Sequence, residues 1–182
     1  MRIQLLFIVV FFSSQLFAQI TKGNFLVGGN LSFEYSSHSI EEEAISQLTL
    51  KPDGSYFFID KVAAGLHVDM SLTGNRGDKY VTLMLGPFIR YYFLPEAKKI
   101  NVLAEADFMF GSEKYSGFSS EGKTAFGLSA GPVFFISPQV GVETLLNWHM
   151  LKYANDEGRI TRLGLSVGLQ VYLRCMRKES GK

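Results

Sequence analysis

Two histidines in this sequence stand at spacings that suit proton-transfer chemistry. His67 is followed by Asp69 and Ser71, and His149 is preceded by Glu143 and Asn147. A histidine within hydrogen-bond reach of a carboxylate and a hydroxyl is what a general base and its nucleophile require. On a β-strand, residues two apart share a face, so each set would converge on one side. A larger set of charges accompanies them: Arg90 and Arg162 as guanidinium donors, and Glu34, Asp69, Glu105, Asp107 and Glu143 as carboxylates. Gathered into one interior, these groups form either a structural polar network or a path for protons and ions. Buried charges must be paired and hydrogen-bonded. No Cys/His cluster has zinc-ligand spacing, and the lone Cys175 forms no intramolecular disulfide. Neither a metal nor a cofactor is expected.

The elements that position these residues follow from alternation. Segments 25–35, 62–72, 81–93, 100–110, 126–136, 140–150 and 163–173 each carry apolar side chains at every second position, with small or polar residues between. In 163–173, Leu163, Leu165, Val167, Leu169, Val171 and Leu173 alternate with Gly164, Ser166, Gly168, Gln170 and Tyr172. A weaker pattern over 45–56, with Leu48 and Leu50, brings the number to eight strands. Polar connections at 36–44, 73–79, 111–123 and 154–159 alternate with tighter turns near 59–61, 95–99 and 137–139. Longer loops at one end and shorter turns at the other mark a transmembrane barrel. Eight tilted strands of about 9–11 residues fit in the chain with room for loops.

Composition bounds the function classes. The chain has 182 residues, 47% hydrophobic, 14% aromatic and 19% charged, which excludes a disordered acidic protein. Lys+Arg number 18 against 17 Asp+Glu, without the basic excess of a nucleic-acid binder. Residues 1–18 combine Arg2, a short apolar run from Leu5 to Phe12 and a small residue at Ala18, the pattern of a cleaved signal peptide. Residues 19–173 would then be the barrel and 174–182 a short periplasmic tail.

Alternation alone leaves open which face points inward. The mixed face is rich in glycine (Gly28, Gly65, Gly86, Gly127, Gly131, Gly141, Gly164, Gly168), as a narrow, crowded interior demands. Lysines fall at loops, turns and strand ends. Phe25, Tyr35, Tyr91, Phe93, Phe110 and Phe126 stand near strand ends on the apolar face, as an interfacial girdle does. The apolar face is therefore assigned to lipid. Arg90 should lie near Glu105 or Asp107, and Arg162 near Glu143 and Glu34.

Over residues 24–173 the chain resembles the bacterial outer membrane protein beta-barrel domain family, small eight-stranded barrels of OmpA/OmpX-like architecture. The resemblance rests on PDGSYFFIDKVAAGL at 52–66, GPFIRYYF at 86–93, GPVFFISP at 131–138 with Glu143 after it, and the closing strand 163–173. Ser55 stands where the family favours glycine. Ser166, Gly168, Val171 and Leu173 resemble the closing-strand signal read by the outer-membrane insertion machinery.

The resemblance implies an all-β, antiparallel, up-and-down transmembrane barrel in the outer membrane, with both termini periplasmic and four loops outside. Outer-membrane lipids, lipopolysaccharide and the insertion machinery are the expected partners, and the barrel is expected to be monomeric. A non-enzymatic role in envelope structure or surface interaction is the favoured reading. Glu41, Glu42 and Glu43 or the aromatic loop with Tyr115, Phe118 and Phe126 are its candidate contact points. The alternatives are a lipid-modifying enzyme using His67 or His149, and a soluble lipocalin-like carrier with the apolar face turned inward.

Overall fold

A computed structural model of the protein describes residues 20–38, 43–75, 78–95, 99–115, 121–154 and 158–174. For 33–38, 43–46, 74–75, 78–79 and 115 the description covers the backbone. The proposed leader, Glu41, Glu42, Phe118 and Cys175 lie outside these residues. Eight strands follow one another: β1 (Phe25–His38), β2 (Glu43–Ile59), β3 (Val62–Asn75), β4 (Asp78–Tyr92), β5 (Ile100–Tyr115), β6 (Glu121–Ser137), β7 (Val140–Tyr153) and β8 (Ile160–Leu173). Each pairs antiparallel with its chain neighbours, and β1 closes on β8 from Phe25↔Leu173 to Phe33↔Leu165. The eight-stranded up-and-down barrel expected from the alternation is the fold.

The strands run longer than their apolar bands. They span 14 to 17 residues, against the roughly 9–11 that cross a hydrocarbon layer. The excess lies at the loop end, where β1–β2 pairing continues to His38↔Glu43, β3–β4 to Asn75↔Asp78 and β5–β6 to Glu113↔Glu121. Most of 36–44, 73–79 and 111–123, expected as loops, is therefore ladder. Main-chain hydrogen bonds do not require apolar side chains, so polar residues extend a ladder already set in register. Phe126 accordingly belongs to β6 and not to a loop. At the opposite end, β2 and β3 join through Asp60 and Lys61, and Lys61 takes a left-handed φ of 67°.

Three prolines stand inside strands of a sheet that has no edge. Pairing lapses for two residues at Lys51–Pro52 on the β3 side, at Gly86–Pro87 on the β5 side and at Gly131–Pro132 on the β7 side. The register resumes unshifted beyond each lapse. Proline has no N–H to contribute to a ladder. On their other sides these prolines keep continuous partners, as in Leu66↔Pro87 and Val102↔Pro132. The glycines beside two of them allow the neighbouring backbone to close in. A Cβ at Gly86 would sit 1.9 Å from the Phe108 carbonyl oxygen, and one at Gly131 would sit 2.0 Å from that of Thr144.

Face assignment follows the alternation throughout the described side chains. Leu83, Leu165 and Phe110 are each more than half exposed on the outside. Phe25 packs against Tyr56, and Tyr91 meets Phe93 edge-on, on the outer surface near the turn end. Inside, the turn end is filled by an apolar plug of Ile20, Leu26, Phe57, Leu103, Val133 and their neighbours. Ile20 precedes β1 and is tied into place by Lys61 N donating to its carbonyl oxygen at 2.8 Å. Nearer the loop end a smaller cluster joins Met84, Met109, Ala125 and Leu151. Between these clusters the lumen is polar.

The close approach at Gly86 makes a direct prediction. Gly86→Val must push the β5 backbone outward and should cost roughly 1–3 kcal/mol or more. The measurement is the urea midpoint of the detergent-folded protein, followed by the fluorescence of Trp148, the single tryptophan.

Candidate functional site

Arg90 is the centre of the lumen. It projects inward from β4, is fully buried, and lies opposite Glu105 in the β4–β5 register. Its Nε donates to Glu105 Oε2 at 2.8 Å, and Nη2 stands 2.6 Å from the same oxygen. From the other side, Nη1 donates to Oε1 of Glu143 on β7 at 2.8 Å. A planar guanidinium offers five donors in a fixed fork and can hold two carboxylates that a lysine could not align. Nη1 also reaches Tyr92 Oη at 3.4 Å, and that hydroxyl shares a hydrogen bond of 3.0 Å with Tyr172. The two tyrosines rest on the apolar plug, with their hydroxyls toward the charges and their rings against Phe57.

Around this centre lie the two histidines. His67 on β3 is buried, with Nε2 3.0 Å from Glu105 Oε1 and its ring stacked on Phe88 at 3.9 Å. Its cross-strand neighbour on β4 is Gly86, so no side chain separates His67 from β5. Asp107, two residues beyond Glu105, faces Lys51 Nζ at 3.6 Å and His149 Nε2 at 3.8 Å. Asp53 on β2 accepts from Gln170 Nε2 at 2.8 Å. Toward the loop end, Arg162 donates to Gln47, Ser129 and Ser166 meet at Asn147, and Lys123 pairs with Glu113 at 2.9 Å. A cavity of about 50 Å³, lined by Lys51, Asp69, Glu105, His149 and Arg162 among others, occupies this part of the lumen. That is room for a few waters.

These positions revise several expected pairings. Arg90 meets Glu105, as one of its two expected partners, but it also takes Glu143. Arg162 lies opposite His149 in the β7–β8 register, whereas Glu143 lies opposite Gly168. Six residues of strand separate the two levels, so Arg162 pairs with Gln47 instead. Glu34 stands opposite Gln47 on the backbone ladder, and its side chain is not described. Asp69 bonds Ser71 at 3.3 Å and leaves His67 to Glu105. His149 takes Lys51 and Asp107 in place of Glu143 and Asn147.

The largest omission is Lys51, an inward lysine in the middle of β2, together with Asp53 on the same face. Lysines are thus not confined to loops and strand ends. Outward Pro52 and Gly54 blurred the alternation there, although the parity set by Leu48 and Leu50 already turns 51 and 53 inward. Tyr92 and Tyr172 stand on the inward face by parity, as expected, and the fold adds the hydrogen bonds of their hydroxyls to Arg90 and to each other.

A closed eight-stranded barrel, apolar outside and polar within, is the OmpA/OmpX-like architecture of small outer-membrane barrels. No family model matches the chain, and no curated protein sequence matches it. Among solved structures it is similar to Neisserial surface protein A (NspA), with a TM-score of 0.63 at 15% identity, covering 82% of this chain and 97% of that one. It is also similar to the N-terminal β-barrel domain of Pseudomonas aeruginosa OprF, with a TM-score of 0.56 at 10% identity, covering 84% of this chain and 98% of the other. At these identities the likeness is one of fold.

The fork at Arg90 yields a thermodynamic prediction. Arg90→Met strands two carboxylates in the interior and should cost about 3–5 kcal/mol. Replacing Glu105 and Glu143 by glutamine in the same chain should restore much of that loss. Urea unfolding of the single and triple variants in micelles measures both effects.

Proposed function

We propose that the protein is an integral barrel of the bacterial outer membrane, without enzymatic activity, serving envelope structure or surface interaction through its loops. One observation carries this reading: a continuous outward apolar surface on all eight strands encloses a lumen filled by side chains. Leu31, Leu50, Leu66, Leu83, Val102, Leu128, Leu146 and Leu165 all face outward and are substantially exposed. So large an apolar surface calls for lipid or another apolar partner. With the apolar face outside, the described residues offer the carrier reading a cavity of about 50 Å³ lined mostly by polar side chains. The enzymatic reading is weakened by the placement of its bases, since His67 and His149 point into the lumen while acyl chains would pack outside. The insertion machinery, lipids and lipopolysaccharide are the partners this reading implies, and a monomer suffices for it.

The test is membrane fractionation with unheated and boiled gel samples. Detergent-dependent extraction and a heat-modifiable band are expected. Release into the soluble fraction with no mobility shift would sink the membrane assignment. His67→Ala and His149→Ala should each leave the lipid composition of the envelope unchanged, and an activity lost in both would favour the enzyme.

A further inference from the structure

We propose that His67, Glu105 and Asp107 form a binding site for a divalent transition-metal cation of the zinc class inside the barrel. Each offers one ligand atom, these atoms all lie within 4.8 Å of one another, and all three residues are buried. Zinc–ligand bonds to imidazole and carboxylate are about 2.0–2.2 Å, so the three side chains would have to draw together around a shared ion. One nitrogen ligand with two carboxylates suits zinc, manganese or iron better than calcium or magnesium, which favour all-oxygen shells.

Three further features point to a cation at this place. Both Asp107 carboxylate oxygens are buried without a hydrogen-bond partner, with Lys51 Nζ at 3.6 Å and His149 Nε2 at 3.8 Å from one of them, while Arg90 occupies Glu105 Oε2 and leaves Oε1 to face His67 Nε2. The charges around the site are also unequal. Four carboxyl groups, those of Asp53, Glu105, Asp107 and Glu143, share this layer with Lys51 and Arg90, and the imidazoles of His67 and His149 stand beside Glu105 and Asp107. Finally, glycines hold the space open on both sides. A Cβ at Gly127 would lie 2.7 Å from both Asp107 oxygens, and Gly86 leaves the path from His67 to β5 clear. Glu105 also lines the cavity toward the loop end, together with Lys51 and His149. Lys51, 3.6 Å from Asp107, is the competing cation and would swing into that cavity on metal binding.

The experiment uses the full-length folded protein in micelles, stripped with chelator and dialysed against zinc, with bound metal counted per barrel. One zinc per folded wild-type chain is expected. His67→Gln and Asp107→Asn should each weaken binding roughly tenfold or more, by analogy with even outer-shell losses. Glu113→Gln, at the loop end, should leave it unchanged, and Lys51→Met should tighten it severalfold. A heat-modifiable band confirms that each variant is folded. Absence of zinc from the wild type overturns the proposal, as does zinc retained equally by H67Q and D107N, which would place the ion on the surface. Cobalt substitution in the wild type needs no variant: intense low-coordinate absorption supports the site, and the weak spectrum of a six-coordinate aquo ion overturns it.

Discussion

The structure depends on one constraint: backbone N–H and C=O groups seek partners, and a sheet leaves no open edge only by closing on itself. The Phe25↔Leu173 to Phe33↔Leu165 seam between β1 and β8 performs that closure. Once the ring is shut at eight strands, its radius is fixed and the interior has just the width of its own side chains. Strict alternation then divides every described strand between an apolar outer face and the lumen. The small residues, the prolines and the charges are all placed by that geometry.

A narrow lumen could have been filled with aliphatic side chains. Here it is filled in tiers, with an apolar plug at the turn end, a charged layer about Arg90 above it, and a wetter zone toward the loops. Charges held this way contribute little net stability compared with well-packed apolar groups, yet removing one partner is costly. Arg90 takes acceptors from neighbouring β5 and from β7 at once, which ties β4 to a strand on the other side of the lumen. The hydroxyls of Tyr92 and Tyr172 join that layer to the plug beneath it.

How much of this was legible in the sequence varied with the physics involved. Strand number, order and inward parity could be read because burial on one face imposes period two, and every described side chain respects it. Strand length could not, since His38 and Glu43, or Glu113 and Glu121, pair through main-chain atoms that carry no signature in side-chain type. The site was legible as a set of inward residues but not as a set of contacts. Height along the barrel depends on register across several strands, and a pairing such as Arg90 with Glu143 crosses the lumen between strands that never touch. For the same reason, the absence of Cys/His ligand spacing along the chain did not reveal that β3 and β5 bring His67, Glu105 and Asp107 together.

The proline interruptions have a mechanical meaning. They fall on the β2–β3, β4–β5 and β6–β7 seams, while β1–β2, β3–β4, β5–β6 and β7–β8 pair without a break. The wall is thus four stiff two-stranded staves, hinged at three softer joints and clasped by the β1–β8 seam. Any lateral deformation of such a cylinder would fall first on those three joints, where ladder hydrogen bonds are missing. The Arg90–Glu143 contact, running from β4 to β7 inside the wall, bridges two of them.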